Sequence, residues 1–509
     1  MLSVALVVFF TFWLLDVFLF GRRSAAATNL GAWRLLVDFD PETLQNALGN
    51  LAQVVAAVLG IVITVVSIVV QLAATRYTPR IGKMFFRDRK NLAIFGFFVV
   101  SCINAVWVSI VVTGAFVPRL SVVVTAVMVT ASLLLLIPYF AYVFAFLDPE
   151  KVIDRIGQQV LAAALGRGSA RRYRNALDVR QAACVGGLEH LSDVAVNTIA
   201  QKDKIIATGA VAALREFAVK YLREKKNLPP DWFVVGARAR ANPDFIALAP
   251  DALRSMEHKR IWVEWKVLRH FRSIFGEVAE HLPEMSHVVS IETRYIGEEA
   301  LKQDDRDVLV LTIRYFNTFL RTAINHQNTR TCYNIFHQYR LLAEHMMRRG
   351  YSDLLPEIGR FLAYYGQTAH RAGLHFVTET AAHDLAVLCE RAFERKHPCH
   401  ERLLGYFLQV DKVNELGEEE QALRGVRKAQ IRLGTFYLLN GTPEHAVRIA
   451  ADMRGEKSER LAAIRSELLC VTDRECWEVT DRGVNFDFLD PSRKEKLDDF
   501  FERITSSKG

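Results

Sequence analysis

Cysteine occurs only seven times in this 509-residue chain, and in no framework: Cys102, Cys184, Cys332, Cys389, Cys399, Cys470 and Cys476 are scattered and odd in number. That argues against a disulfide-stapled secreted domain and for free thiols in a reducing compartment. Charge of one sign is also scarce. The formal net charge is +8, with a basic surplus of three in residues 1–150 and five in the rest, which is no footprint for nucleic acid. A Gly-rich phosphate loop is missing; Leu165-Gly-Arg-Gly168 is basic but lacks the required spacing. No acid/base pair or activated nucleophile is readable, and His370, His375 and His383-Asp384 sit at ordinary helix positions.

Apolar sequence, by contrast, is abundant and concentrated at one end. A bilayer core about 30 Å thick needs roughly 20 apolar residues in helix, and four segments qualify: about 1–20, 51–73, 92–117 and 120–147. Helices are the expected form because lipid offers backbone groups no hydrogen-bond partner. The first segment lacks a basic n-region and is too long for a signal-peptide core, so it reads as an uncleaved span. Pro118 suits the turn between spans three and four, and Pro138 is expected to kink span four. Asp16 is the single acid within a span and is expected to reach the headgroup region.

A dense basic segment, QLAATRYTPRIGKMFFRDRKN, separates spans two and three. Arg76, Arg80, Lys83, Arg87, Arg89 and Lys90 face Asp88 alone, and positive residues in short loops stay on the cytoplasmic side. The expected topology is a multi-pass inner-membrane protein with both termini cytoplasmic. Arg22, Arg23 and Arg34 disagree, offset in net charge by Asp38, Asp40 and Glu42. Pro79 fixes its own φ and belongs at a turn. From Ile81, the order Ile81, Met84, Phe85 against Lys83, Arg87 and Lys90 predicts an amphipathic helix along the membrane surface. Its basic face would meet anionic headgroups or serve as a solvated topology signal.

Within span two, Gln53, Ala57, Gly60, Thr64, Ser67 and Gln71 recur every three or four residues and form one small, polar stripe. One reading is a helix–helix contact, with Ser101, Asn104 and Ser109 of span three as partners. The other is a wall of a permeation path, against which stands the lack of an ionisable residue on the stripe.

The loop also resembles a known family. Gln71, Leu72, Ala73, Thr78, Pro79, Arg80, Phe86, Arg87 and Asp88 are similar to the motif between the second and third spans of the bacterial predicted membrane proteins called domain of unknown function 2254. A fainter similarity lies at 191–214, where Gln201-Lys202-Asp203-Lys204 replaces that family's Asn-Asp-Pro. The resemblance extends over about residues 1–220. It implies a four-span inner-membrane protein with a cytoplasmic tail, and carries over no catalytic residue.

Beyond Asp148-Pro149 the apolar spacing is helical nearly throughout. The domain organisation expected is a transmembrane domain at 1–148, a membrane-proximal helical region at 149–226, an irregular linker or small hairpin (WFVV, FIAL) at 227–250, and a helical-repeat-like domain at 251–509. Helix pairs at roughly 30–40-residue spacing suggest a stacked array. One unit near 426–453, with Leu433, Gly434, Tyr437, Gly441 and Ala446, resembles a tetratricopeptide repeat. The fold class is therefore all-α: a four-helix transmembrane bundle followed by a solenoid-like cytoplasmic region.

Two further clusters are read as structural. Trp262, Trp265, Phe271 and Phe275 interleave with Lys and Arg, and Ile261, Trp265, Leu268, Arg272 and Phe275 have the spacing of a core stripe beside a solvated basic side. Cys389, His397, Cys399 and His400 are the tightest group of metal-ligand types, but Cys389 falls inside a helix and only His397-Pro-Cys-His400 is compact. The sequence thus calls for no metal, no other cofactor and no enzyme activity. Its expected partners are the bilayer, its anionic headgroups, cytosolic proteins and further copies of the chain. The function expected is a membrane-anchored helical scaffold or sensor, the alternative an oligomeric channel or transporter.

Overall fold

The computed structural model describes residues 2–20, 40–78, 80–113, 116–166, 176–351, 353–410, 412, 424–475 and 481–506. Arg22, Arg23, Arg34, Asp38, Pro79 and Cys476 lie outside the described residues. These form two compact units, Met1–Arg155 and Ile156–Gly509. Helix dominates both, and no strand occurs among the described residues beyond one isolated bridge between Thr113 and Phe116.

The first unit contains α1 (Leu2–Phe20), α2 (Pro41–Arg76), α3 (Arg80–Arg87), α4 (Arg89–Val111) and α5 (Arg119–Leu147). Three of these, α2, α4 and α5, are long and apolar enough to cross a membrane; α1 contributes a shorter described apolar stretch, Leu6–Asp16. The spans read from the sequence are thus present as helices, with α2 starting ten residues before the predicted 51. Asp40 explains that start: its carboxylate accepts from Thr43 N and Thr43 Oγ1 and caps the helix.

Helix α4 lies at the centre, packing against α1, α2, α3 and α5. Phe9, Leu44, Leu48, Val108, Val112 and Val122 form one buried layer, and Ala52, Val55, Ala105 and Val129 the next. Farther along, Tyr139 donates to Asn91 Oδ1 at 2.8 Å, while Asn91 Nδ2 donates to Phe85 O at 3.3 Å. These bonds matter because buried polar groups without water need internal partners. Pro138 lies inside the continuous helix α5.

The second unit runs from the last two and a half turns of α6 (Pro149–Leu165) through α7 (Ala176–Ala200) and α8 (Lys204–Glu224). The 227–250 stretch is irregular: 3-10 turns and the one-turn helices α9 (Ala237–Arg240) and α10 (Pro243–Ile246) take the place of a hairpin. Prolines at 229, 230 and 243 explain this, since each lacks the amide a strand pair requires. There follow α11 (Pro250–His258), α12 (Trp262–His281), α13 (Ser286–Gln303), α14 (Arg306–Asn325), α15 (Thr329–Arg349), α16 (Leu355–Arg371), α17 (His375–Glu394) and α18 (His400–Phe407). The chain ends with α19 (Arg424–Leu439), α20 (Pro443–Asp452), α21 (Ser458–Cys470), α22 (Pro491–Lys494) and α23 (Leu497–Ser506).

From α12 to α17, each helix packs both on the next helix and on the next but one: α13 on α15, α15 on α17, α17 on α19. That is the pattern of a solenoid-like array, in which each unit buries its apolar face on neighbours in sequence. The 255–275 stripe is core in part: Ile261, Leu268 and Phe275 are buried along with Trp262 and Phe271, whereas Trp265 is half-buried and Arg272 is exposed. Its basic side is not all solvated, however. Lys266 is buried, bonded to Asn242 Oδ1 at 2.9 Å and Asp244 Oδ2 at 2.6 Å. The acceptors come from the irregular stretch, which a helical pattern cannot anticipate.

Candidate functional site

The membrane-associated unit holds the residues to which the sequence points. On α2, one ridge (Val55, Val62, Val66, Val70 and Ala73) is buried against the rest of the bundle. The small and polar stripe lies elsewhere on the helix: Gln53, Ala57, Gly60, Thr64, Ser67 and Gln71 are all exposed. Thr64 Oγ1 turns back to Gly60 O at 2.9 Å, which satisfies one hydroxyl within the helix. The contact expected between this stripe and span three is therefore absent within the chain. The reason is shape: β-branched valines spaced seven, four and four residues apart give α2 a second, better-packed face for α4.

Asn104 is brought instead into the seam between α4 and α5, where its Nδ2 donates to Thr125 Oγ1 at 2.8 Å. Ser101 and Ser109 bond back to their own helix at Phe97 O and Val106 O. None of the three reaches the α2 stripe.

Asp16 corrects a second expectation. Its carboxylate is buried and accepts from Leu120 N at 2.9 Å, Ser121 N at 2.8 Å and Ser121 Oγ at 2.7 Å. Pro118, at the N-cap of α5, supplies no side-chain acceptor. Helix starts leave several amides without an intrahelical partner, so an acid from α1 fills the role across more than a hundred residues of sequence. The signal available was an acid inside a span; its partner lay too far along the chain to be read.

At the opposite end of α4, the basic loop is built from two helices and not one. Asp88 accepts from Lys90 N at 2.8 Å and Asn91 N at 3.2 Å, starting α4 and ending the surface helix at Arg87. Lys90 consequently belongs to α4, a correction to the single amphipathic helix expected. Ile81 and Phe85 are buried, Phe85 standing edge-on to Phe146 with centroids 5.3 Å apart. Arg76, Lys83, Arg87, Arg89 and Lys90 are exposed, and Phe86 beside them is 60% exposed. Arg80 begins α3, and its side chain is outside what the structure describes; Asp88 is half-buried. Exposed cations around an exposed aromatic ring suit an interface where an apolar layer meets charged headgroups.

In the second unit, the turn at 201–204 places Lys202 at φ 61° and uses Asp203 to cap α8 through Ile206 N. Across the next seam, Arg215 pairs with Glu292 and Arg223 with Glu299. Lys225, buried, holds both Glu264 and Asp305 at 2.7 Å. Farther on, Arg482 bonds Asp384 at 2.7 and 3.1 Å, Arg340 reaches the same carboxylate at 3.0 Å, and Arg493 clasps Glu390 at 2.7 and 3.0 Å. These networks join helix to helix and, through Arg482, the 481–490 segment to α17. One set of metal-ligand side chains converges among the described residues: His400, Glu401 and His445.

A bundle of long apolar helices with an amphipathic basic loop defines the class of helical membrane proteins. Residues 1–208 match the model of the family described as "Predicted membrane protein (DUF2254)", the family that the loop resembles, and its function is unknown. No curated protein matches the chain. A solved circular tandem repeat protein with novel repeat topology is 14% identical, covering 92% of this chain and 97% of its own, with a TM-score of 0.26. That score carries no argument. The tetratricopeptide likeness at 426–453 is not supported by the family comparison. Gly434 there makes room for the Phe500 ring of α23, where a Cβ would stand 2.0 Å from Phe500 Cε2.

Proposed function

We propose that the protein is an oligomeric membrane anchor: copies associate through the polar face of α2, and each presents its helical second unit to cytosolic proteins. The observation that carries this reading is the outward direction of the whole Gln53–Gln71 stripe. In lipid there is little hydrophobic force between helices, so small residues that allow close approach and side chains that bond across a seam drive association. An amide left facing hydrocarbon costs several kcal/mol. A second copy offering the same stripe supplies both the fit and the bonds.

The basic residues of α3 and its flanks support an inner-membrane protein with this loop, both termini and the second unit on the cytoplasmic side. Cysteine at Gly60, Thr64 or Ser67, oxidised in native membranes, should give disulfide-linked dimers, whereas cysteine at Val62 or Val66 should not. Equal cross-linking at all five positions would defeat the seam. Proximity labelling from the second unit should recover defined cytosolic proteins.

A second reading rests on the stripe's chemistry. It runs the length of the span with hydroxyls and amides and no charge, as a shared path for a small polar solute or ion would. Purified protein in planar bilayers should then conduct, with conductance altered by Ser67→Leu.

A further inference from the structure

We propose that His400, Glu401 and His445 form a binding site for a divalent transition-metal ion, with zinc the best fit. His400 and Glu401 open α18, and His445 lies in the first turn of α20. One ligand atom from each lies within 4.8 Å of the other two. Zinc bonds of about 2.0–2.1 Å at tetrahedral angles put neighbouring ligand atoms about 3.3 Å apart. Glu401 Oε1 stands 3.1 Å from His445 Nε2 and 3.7 Å from His400 Nδ1, so these two edges straddle that length, and the imidazole–carboxylate donor set suits zinc.

The groups behind these ligands are those a metal centre needs to hold its first shell in orientation. Tyr437 OH lies 2.6 Å from His400 Nε2. In the metal-binding tautomer Nε2–H donates to that oxygen and Nδ1 presents its lone pair. Arg448 Nη1 donates to Glu401 Oε2 at 2.9 Å, fixing the carboxylate and leaving Oε1 for the ion. The two imidazoles stack at 5.0 Å and 16°, with the Phe393 ring edge-on to each. Glu401 is exposed, so a fourth position opens to solvent.

The compact His397-Pro-Cys-His400 motif contributes one ligand and not three. His397 Nδ1 lies 2.8 Å from Cys399 Sγ, a pairing local to the turn before α18. Cys389 is buried within α17. His445, 45 positions after His400, joins the site through its own side chain, stacked on His400 and in reach of Glu401.

The test uses the untagged full chain in detergent, freed of metal by a chelator and titrated with Co²⁺ and then Zn²⁺. One Co²⁺ per chain should bind with the visible bands of a four-coordinate ion, be displaced by Zn²⁺, and raise the melting temperature. His445→Asn and Glu401→Gln should each weaken binding at least about tenfold, with circular dichroism unchanged. Cys399→Ser should keep the wild-type affinity. Absence of a stoichiometric Co²⁺ site overturns the proposal. So does full affinity in either ligand variant, or loss of the site in Cys399→Ser.

Discussion

Asp16 and Ser121 are 105 residues apart in sequence, yet one carboxylate oxygen of Asp16 accepts both the amide and the hydroxyl of Ser121. The acid of α1 therefore starts α5. Hydrogen bonds to a charged group contribute about 1.5–3 kcal/mol each, and removing the acceptor leaves buried donors without a partner. Asp16→Ala should lower the stability of the detergent-solubilised protein by roughly 3 kcal/mol, read as a fall in melting temperature. Asp16→Asn, which keeps one acceptor, should cost less.

The α2 stripe predicts a different kind of sensitivity. Leucine at Thr64 fills the seam between copies without touching the valine ridge that packs on α4. Thr64→Leu should therefore reduce the oligomer seen by native mass spectrometry while leaving monomer melting within about 0.5 kcal/mol.

At the far end of the chain, Gly434 and Phe500 are matched in size. Gly434→Ala should destabilise the packing of α19 against α23 by about 1–3 kcal/mol, the usual cost of overfilling a core. Phe500→Leu in the same chain should recover part of that loss, a coupling that a double-mutant thermal series measures directly.

Acid should weaken the second unit. Burial lowers the His270 pKa to about 3, helped by Lys266 and Arg269 and opposed by Asp244. The folded state thus holds this imidazole neutral, whereas the unfolded chain takes up its proton near pH 6.5. Stability is complete above that value and falls as pH drops from about 6.5 toward 3, by about 1.4 kcal/mol per unit from this group. His337 and His383, each lowered by burial to about 4, act in the same direction. His270→Leu should flatten the fall in melting temperature between pH 6.5 and 5.

The helices, their order and the membrane character of the first unit were legible because length and apolar period depend on local sequence. Directions were not. In a span where nearly every residue is Val, Ile, Leu or Ala, periodicity locates the stripe of Gly60, Thr64 and Ser67 but not which face meets the bundle. Asp16, Lys266 and His445 were misplaced or passed over for a common reason: their partners lie on helices or loops remote in sequence. Asp88 differs: its cap acts over two and three residues, so the break between α3 and α4 had a local signal, an Asp ahead of an apolar run, which the spacing of Ile81, Phe85 and Lys90 masked.

The pairs Arg482–Asp384 and Arg493–Glu390 draw the terminal segment back over α17, about a hundred positions upstream. A stack of helices joined only to its sequence neighbours can peel away one layer at a time. These two guanidinium clasps, with the Arg482 cation 4.1 Å above the Tyr333 ring, convert the end of the stack into a hoop. Layers from α15 onward must let go together, so heat should melt them in one sharp step and not as a fraying tip.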